Sequence, residues 1–334
     1  MNYPDNEWSL IIFNIIGDLS VGAFIALGLA HFYAVRKHST QQADLLSTRA
    51  LLVIGPLLVL GMLAVFGHVG NPERAFNMLS NVDTSWLARE VAAYGAFLVI
   101  GGAFAILQAL TLLSPERQKQ IDQATRGLLP KVRILLAWIA ALVGIFFVLS
   151  AAMIYYDPRL ASRQTGWAHI YTPILFFVDT GLLGSLVLGV GFVANYLWLR
   201  GRKQIEPASL AIQEALLRDV IKGVSFASIG LIGVLFVAIP IYLVYLGANP
   251  NPLNAQILLM LSTDFALHWF LRLFLAFTGA GVLAVFIAYL SERSQRQRLL
   301  YLMVVLAFVC VLAGEVIGRY LFYARNATLM IGGM

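Results

Sequence analysis

Apolar runs long enough to form a membrane helix recur along the whole chain, separated by shorter polar stretches. A window of about 20 residues, the helical length that crosses the hydrocarbon of a bilayer, predicts spans over 9–35, 50–67, 86–113, 132–156, 172–199, 220–247, 265–290 and 299–324. The predicted class is an all-α integral membrane protein with eight transmembrane helices and both termini on one side. The chain reads as a single membrane domain, 1–334. Within it, 1–199 holds a first four-helix bundle and the start of a second (helices 1–5), and 200–334 holds helices 6–8 and a C-terminal tail. Two tandem four-helix bundles are expected, and the similar spacing of Gly22 and Gly28 to that of Gly184 and Gly189 fits such a duplication.

The polar stretches are not equivalent, and that sets an orientation. Sixteen of the twenty-three Lys and Arg residues fall in the connectors 36–49, 114–133, 200–222 and 291–298, which alternate with connectors nearly free of positive charge. Basic connectors stay in the cytoplasm, so both termini and the connectors 67–85, 157–171 and 248–264 are expected on the periplasmic side. Trp8, Trp86, Trp167 and Trp269 mark that interface as an aromatic belt. Pro72 can open a short helix carrying Ala75, Phe76, Met78 and Leu79, which would lie flat as a docking floor.

Composition agrees with the pattern. Hydrophobic residues make up 60% of the chain and charged residues 12%, and the mean hydropathy is +0.81, far from the globular balance. The net charge of +6 lies just beyond helix ends rather than on one amphipathic face, so it reads as a topology signal and not as a nucleic-acid surface. Cys310 is the sole cysteine, which leaves no disulfide, no CxxC metal site and no iron–sulfur ligand set in this chain. The first apolar segment lacks a basic start and a small-residue cleavage site and is expected to remain in the mature protein.

Candidate chemistry comes from ionisable residues inside the spans, which are costly there unless paired or wetted. Asp18, Glu90, Asp179 and Glu315, with Arg89, Arg272 and Arg319, all fall in the outer half of their spans, and the cytoplasmic half holds nothing comparable. Glu315 and Arg319 share a helix face four residues apart and can pair, with Tyr323 extending the stripe; the same residues serve equally as a structural staple. Asp18 and Asp179 fit either interhelical hydrogen bonds or a partly hydrated, proton-accessible cavity. Of the five histidines, His31 and His38 lie toward the inside and His68, His169 and His268 at or beyond outer helix ends. That placement does not enclose a bis-histidine haem. His68 can accept a proton from a quinol hydroxyl and Glu90 can take the second, although a lone histidine reads equally as an ordinary interfacial residue.

The run Gly67-His68-Val69-Gly70-Asn71-Pro72-Glu73-Arg74-Ala75-Phe76-Asn77, followed by Glu90 at the head of helix 3, resembles the signature of the dimethyl sulfoxide reductase membrane-anchor family, within the wider polysulfide-reductase-like group of quinone-reactive anchors. Glu7 to Phe13, Tyr171-Thr172-Pro173 and Ala313-Gly314-Glu315-Val316-Ile317-Gly318-Arg319 with Phe322-Tyr323 are similar as well. The resemblance implies an inner-membrane subunit that oxidises menaquinol near the periplasmic face. It would pass electrons to an iron–sulfur subunit and on to a molybdopterin catalytic subunit. His68 and Glu90 are then the quinol-site pair, Arg74 or Arg89 holds Glu90 ionised, and Asp18, Asp179, Glu315, Arg319 and Tyr323 are supporting intramembrane groups. Menaquinol is expected as substrate, with no haem or cluster in this chain. An inward proton route through Asp18, Asp179 and Glu315 is a further possibility. Sulfoxides, amine N-oxides, tetrathionate and selenate are all open as acceptors, as is reversal to oxidise sulfite. A secondary transporter is the alternative from another class, but its carboxylates would sit nearer the midplane.

Overall fold

The computed structural model describes residues 8–66, 77, 79–156, 169–202, 205–249, 252–293 and 296–331, the side chains of 115, 253 and 325–331 apart. Among them eight helices are long and apolar enough to cross a membrane. These are α1 (Trp8–Lys37), α2 (Thr40–Phe66), α3 (Trp86–Ala109), α4 (Leu128–Tyr156), α5 (Tyr171–Arg200), α6 (Pro207–Ala248), α7 (Ala266–Ser291) and α8 (Gln297–Ile331). Two shorter helices, Pro115–Ala124 and Pro252–Ser262, lie in connectors. No strand occurs among the described residues. The flat helix expected from Pro72 falls outside them, apart from Leu79 in a short 3-10 turn.

Each predicted span matches a helix, but α2 and α6 begin well before the apolar run does, at Thr40 and Pro207. Hydropathy detects only the stretch that needs lipid, whereas a helix continues wherever its backbone bonds and side chains are satisfied. Pro207 takes the first helical position, where its missing N–H costs nothing. The polar extensions then bind one another: Gln213 Nε2 donates to the Gln42 carbonyl at 2.9 Å, and Gln42 Nε2 donates to Ser209 Oγ at 2.9 Å. The connectors 36–49 and 200–222 are therefore largely helix.

α1 and α5 form the centre, with 72% and 67% of their apolar windows buried against 11–39% for the other six. They pack on each other; α1 also meets α2 and α4, and α5 meets α4, α6 and α8. α3 packs chiefly on α4, and α7 on α6 and α8. The α1–α5 contact depends on two glycines. A Cβ on Gly22 would collide with the Thr180 carbonyl oxygen and approach Gly184 Cα at 2.9 Å, and a Cβ on Gly184 would collide with the Gly22 backbone. Without side chains in the way the two backbones touch, the small-residue contact by which membrane helices gain packing where lipid supplies no hydrophobic drive. Side chains such as Leu29, Val99, Trp138 and Val244 point outward and are about two-thirds exposed, as a lipid-facing surface requires.

Three helices depart from regularity. Pro56 lies inside α2 and Pro240 inside α6, each removing a backbone donor. In α7, Phe277–Leu283 adopts a π-helical turn, and there a Cβ on Gly279 would lie 2.7 Å from the Ala307 carbonyl of α8.

Candidate functional site

The starts of α1, α3, α5 and α7 and the end of α8 converge at one end of the bundle, and one turn or more inside that end lies a cluster of charges. Asp18 of α1, Asp179 of α5, Arg272 of α7 and Glu315 and Arg319 of α8 are each 1–2% exposed, and Glu90 of α3 is 5% exposed. Burial this complete makes charge pairing a requirement, since an unpaired ion here costs several kcal/mol. Arg319 Nη2 lies 2.5 Å from Asp18 Oδ2 and 3.5 Å from Asp179 Oδ2. Its guanidinium carbon sits 3.7 Å from the centre of the Phe176 ring, a cation–π contact strengthened by desolvation. Arg272 Nη2 is 3.7 Å from Glu315 Oε2. Thr180 Oγ1 donates to Asp18 Oδ1 at 3.1 Å, which the glycine contact one turn along permits.

Small residues also make room for the arginines. A Cβ on Gly318 would lie 2.5 Å from Arg272 Nε, and one on Gly314 would lie 3.2 Å from the Arg272 carbonyl. The Ala-Gly-Glu-Val-Ile-Gly-Arg run of α8 thus alternates groups that carry charge with gaps that receive it. Sequence spacing suggested that Glu315 and Arg319 pair along their own helix. The structure corrects this: Arg319 reaches α1 and α5, while Glu315 faces Arg272 of α7. Crossing to other helices brings each guanidinium to a carboxylate that would otherwise be buried alone, which an intrahelical pair could not do.

Next to the cluster runs a line of hydroxyl and amide groups. Asn14 Nδ2 donates to the Tyr323 hydroxyl at 2.9 Å, and the Tyr155 hydroxyl donates to Tyr323 at 3.1 Å. Tyr155 is also packed edge-on to Phe322, with centroids 4.8 Å apart. Glu90 lies within electrostatic reach of Asp18, Arg319 and Tyr155. α3 starts at Trp86 with Ser85 as cap, its hydroxyl accepting from the Ala88 N–H, so Glu90 enters the interior at the end of the first turn. Arg89, one residue earlier, points elsewhere: Nε donates to the Val82 carbonyl at 2.8 Å and Nη2 to the Asp83 carbonyl at 2.7 Å, and the guanidinium covers the Trp86 ring. The cation within electrostatic reach of Glu90 is Arg319 rather than its chain neighbour. His68 and Arg74 lie outside the described residues.

Two features escaped the sequence. Asn14 gives no pattern signal, being a single amide in an apolar run. The opposite end of the bundle also carries a polar network, where no counterpart was expected. There His31 Nδ1 contacts Ser47 Oγ at 2.9 Å, Gln108 Nε2 donates to Asp44 Oδ1 at 2.6 Å, and Thr48 and Thr111 hydroxyls meet at 3.2 Å. Asp44 and Thr48 sit in the helical extension of α2 that hydropathy left in a connector; recognising the four-residue spacing as helical would have revealed it.

The remaining outer histidines are held by aromatics. His169 lies over Tyr245 with centroids 4.2 Å apart, and its Nδ1 accepts from the Tyr171 N–H at 3.1 Å. Burial pushes its imidazole below the usual value of 6.5. Beneath it a cavity of about 500 Å³ opens between α5 and α6, lined by apolar side chains including Ile174, Val234, Val237 and Ile241. His268 packs against Phe265 and Tyr320.

Comparison with known proteins adds an independent finding. Residues 1–325 match the family described as DMSO reductase anchor subunit (DmsC). The protein is similar to the C chain of anaerobic dimethyl sulfoxide reductase from Escherichia coli (strain K12), 30% identical over 184 residues, 55% of this chain and 56% of that protein. It is similar to the C chain of the same enzyme from Haemophilus influenzae, 27% identical over the full length of both. It is also similar to the C subunit of sulfite dehydrogenase from Allochromatium vinosum, 27% identical over 56% of this chain and 55% of that protein. The first and third alignments thus span about half of each relative, and the second spans the whole.

Proposed function

The chain belongs to the family of DMSO reductase anchor subunits, and from that premise we propose that it oxidises menaquinol at the end of the bundle where Glu90 lies and delivers the electrons to a partner subunit. The observation that carries the reading is Glu90 itself: a carboxyl buried at the head of α3, within electrostatic reach of Asp18, Arg319 and Tyr155. A group so placed is useful as a proton acceptor and is costly otherwise.

In this reading the quinol enters from lipid and leaves its isoprenoid tail in the hydrocarbon. His68 takes one hydroxyl proton and Glu90 the other, with Arg319 or Arg74 holding Glu90 ionised until it accepts that proton. Two electrons leave for an iron–sulfur subunit and thence a molybdopterin subunit, so this chain binds, orients and deprotonates and performs no redox step of its own. The distribution of Lys and Arg supports a reading with both termini, the quinol site and the partners on the periplasmic face of the inner membrane. The acceptor is a sulfoxide or related S- or N-oxide. The likeness to a sulfite dehydrogenase component supports a second reading, in which the same site runs in reverse and reduces quinone.

The test substitutes Glu90→Gln and His68→Gln in membranes holding the assembled complex. Quinol-driven reduction of acceptor should fall by roughly 100-fold or more, the scale of a lost general base, while reduction driven by a soluble artificial donor persists. Undiminished quinol-driven turnover in both variants would falsify the assignment, and loss of the assembled complex would make these residues structural.

A further inference from the structure

We propose that Asp179 and Glu315 share one proton and that, with Asp18, Arg272 and Arg319, they form a charge-neutral proton-exchanging site serving Glu90 and sealed from the far end of the bundle. That the pair serves Glu90 rests on the quinol-site reading; that it holds a proton does not.

The first ground is charge count. Three carboxyls and two guanidiniums, all 1–2% exposed, would carry a net negative charge if every acid were ionised, and the interior of a bilayer protein does not tolerate an unbalanced ion. One bound proton balances these five groups, with Glu90 counted apart as the acid they serve.

The second ground is geometry, which says where the proton sits. Asp18 is already satisfied, with Arg319 on one oxygen and Thr180 on the other. The Asp179 and Glu315 carboxyls act on each other electrostatically, and none of their four oxygens accepts a hydrogen bond from any described donor. Their arginines stand off at 3.5 and 3.7 Å, and Arg272 Nε and Nη2 and Arg319 Nη1 also lack hydrogen-bond partners. Two neighbouring buried carboxyls of this kind hold a proton between them because like charges in one buried cluster cannot both ionise cheaply. The other titratable groups facing the site are Glu90 of α3, Tyr155 of α4, Tyr171 of α5 and Tyr323 of α8.

The third ground is the direction of access. Toward the far end, the Gly22–Gly184 contact closes the α1–α5 seam. Beyond it Phe24 meets Phe97 and Phe104 edge-on at 5.5 and 5.6 Å, and the next ionisable group on α1, His31, is thirteen residues from Asp18, roughly 20 Å along the helix. Toward the near end, Glu90 is in reach of Asp18 and Arg319, and the Asn14–Tyr323–Tyr155 line leads to it. A proton given by quinol to Glu90 displaces the one held by the pair, which departs on the same side, and no proton crosses the membrane through this site.

Infrared spectroscopy of the assembled complex tests the claim. In a Glu90→Gln background, which removes the Glu90 carboxyl itself, a carbonyl band of a protonated carboxyl that downshifts in D2O is expected. Asp179→Asn or Glu315→Gln should extinguish it, since either leaves two acids against two guanidiniums. Arg272→Gln should strengthen it to about twofold, by the same balance of charge. A complex lacking the band, or one in which it survives both carboxyl substitutions, overturns the proposal. Should those variants fail to assemble, Glu315→Asp keeps the charge and should retain the band at an altered frequency; an unmoved band is equally fatal. Because the measurement uses no quinol, it stands whether or not Glu90 proves to be the quinol base. In complexes that retain Glu90, quinol addition should perturb the band, and indifference to quinol removes the link to Glu90 alone.

Discussion

Replacing Arg319 by glutamine removes the cation that Asp18 of α1 and Asp179 of α5 both lie against. The guanidinium lies 2.5 Å from Asp18 and 3.5 Å from Asp179, and all three side chains are 1–2% exposed, so solvent screening gives no relief. Taking one partner from a buried pair typically costs about 3–5 kcal/mol, because the remaining charge stays desolvated. Asp18→Asn should cost less, about 1.5–3 kcal/mol for a charge-assisted hydrogen bond, since Arg319 keeps Asp179. The double variant removes acid and base together, so the losses should fall short of additivity by about 2 kcal/mol, within the range for contacting residues. Denaturant or thermal unfolding of the purified complex in detergent, run as a double-mutant cycle, reads all three quantities. If Arg319→Gln lies within about 1 kcal/mol of the parent, or if the two losses simply add, the cluster does not tie α8 to α1 and α5.

Gly22→Ala should destabilise by about 1–3 kcal/mol, the usual overpacking cost, because its new Cβ meets the Thr180 carbonyl; Gly28→Ala, with nothing within 4 Å, is the control and should be neutral. Equal effects of the two in the same unfolding assay would refute the close α1–α5 contact. His169 has a pKa lowered from 6.5 by burial, so below 6.5 the unfolded chain binds the proton more readily and stability falls as pH falls. Protonation also forfeits the bond from the Tyr171 N–H to Nδ1. His169→Gln should flatten the melting temperature in that acid window, and an unchanged pH slope would dismiss the assignment.

Much of this molecule can be read from one-dimensional pattern because lipid imposes a strict rule. A span must be apolar for its whole length and its backbone must close on itself as helix, so every span appears in the sequence, although helices such as Leu128–Tyr156 and Gln297–Ile331 run several residues past the predicted limits. The same rule makes Asp18, Glu90, Asp179, Glu315 and Arg319 conspicuous as exceptions. Pattern failed where the rule lapses. The leading turns of α2 and α6 are polar helix, invisible to hydropathy, and with them went the His31–Asp44–Gln108 network.

Which ionisable residues lie within the apolar spans was therefore determined by sequence alone, since burial energy makes them costly there without a partner. Which acid meets which arginine was decided by tertiary structure. Spacing of four along α8 favoured Glu315 with Arg319, yet the close approach of α1 and α5 at Gly22 and Gly184 sets two carboxyls before Arg319 and leaves Glu315 to Arg272. Likewise Arg89 stands next to Glu90 in the chain but a third of a turn away around the helix, where it binds the carbonyls of Val82 and Asp83. Proximity along a chain fixes neither direction nor depth of a side chain; the packing of eight helices does, because a buried charge accepts only the arrangement that pairs it.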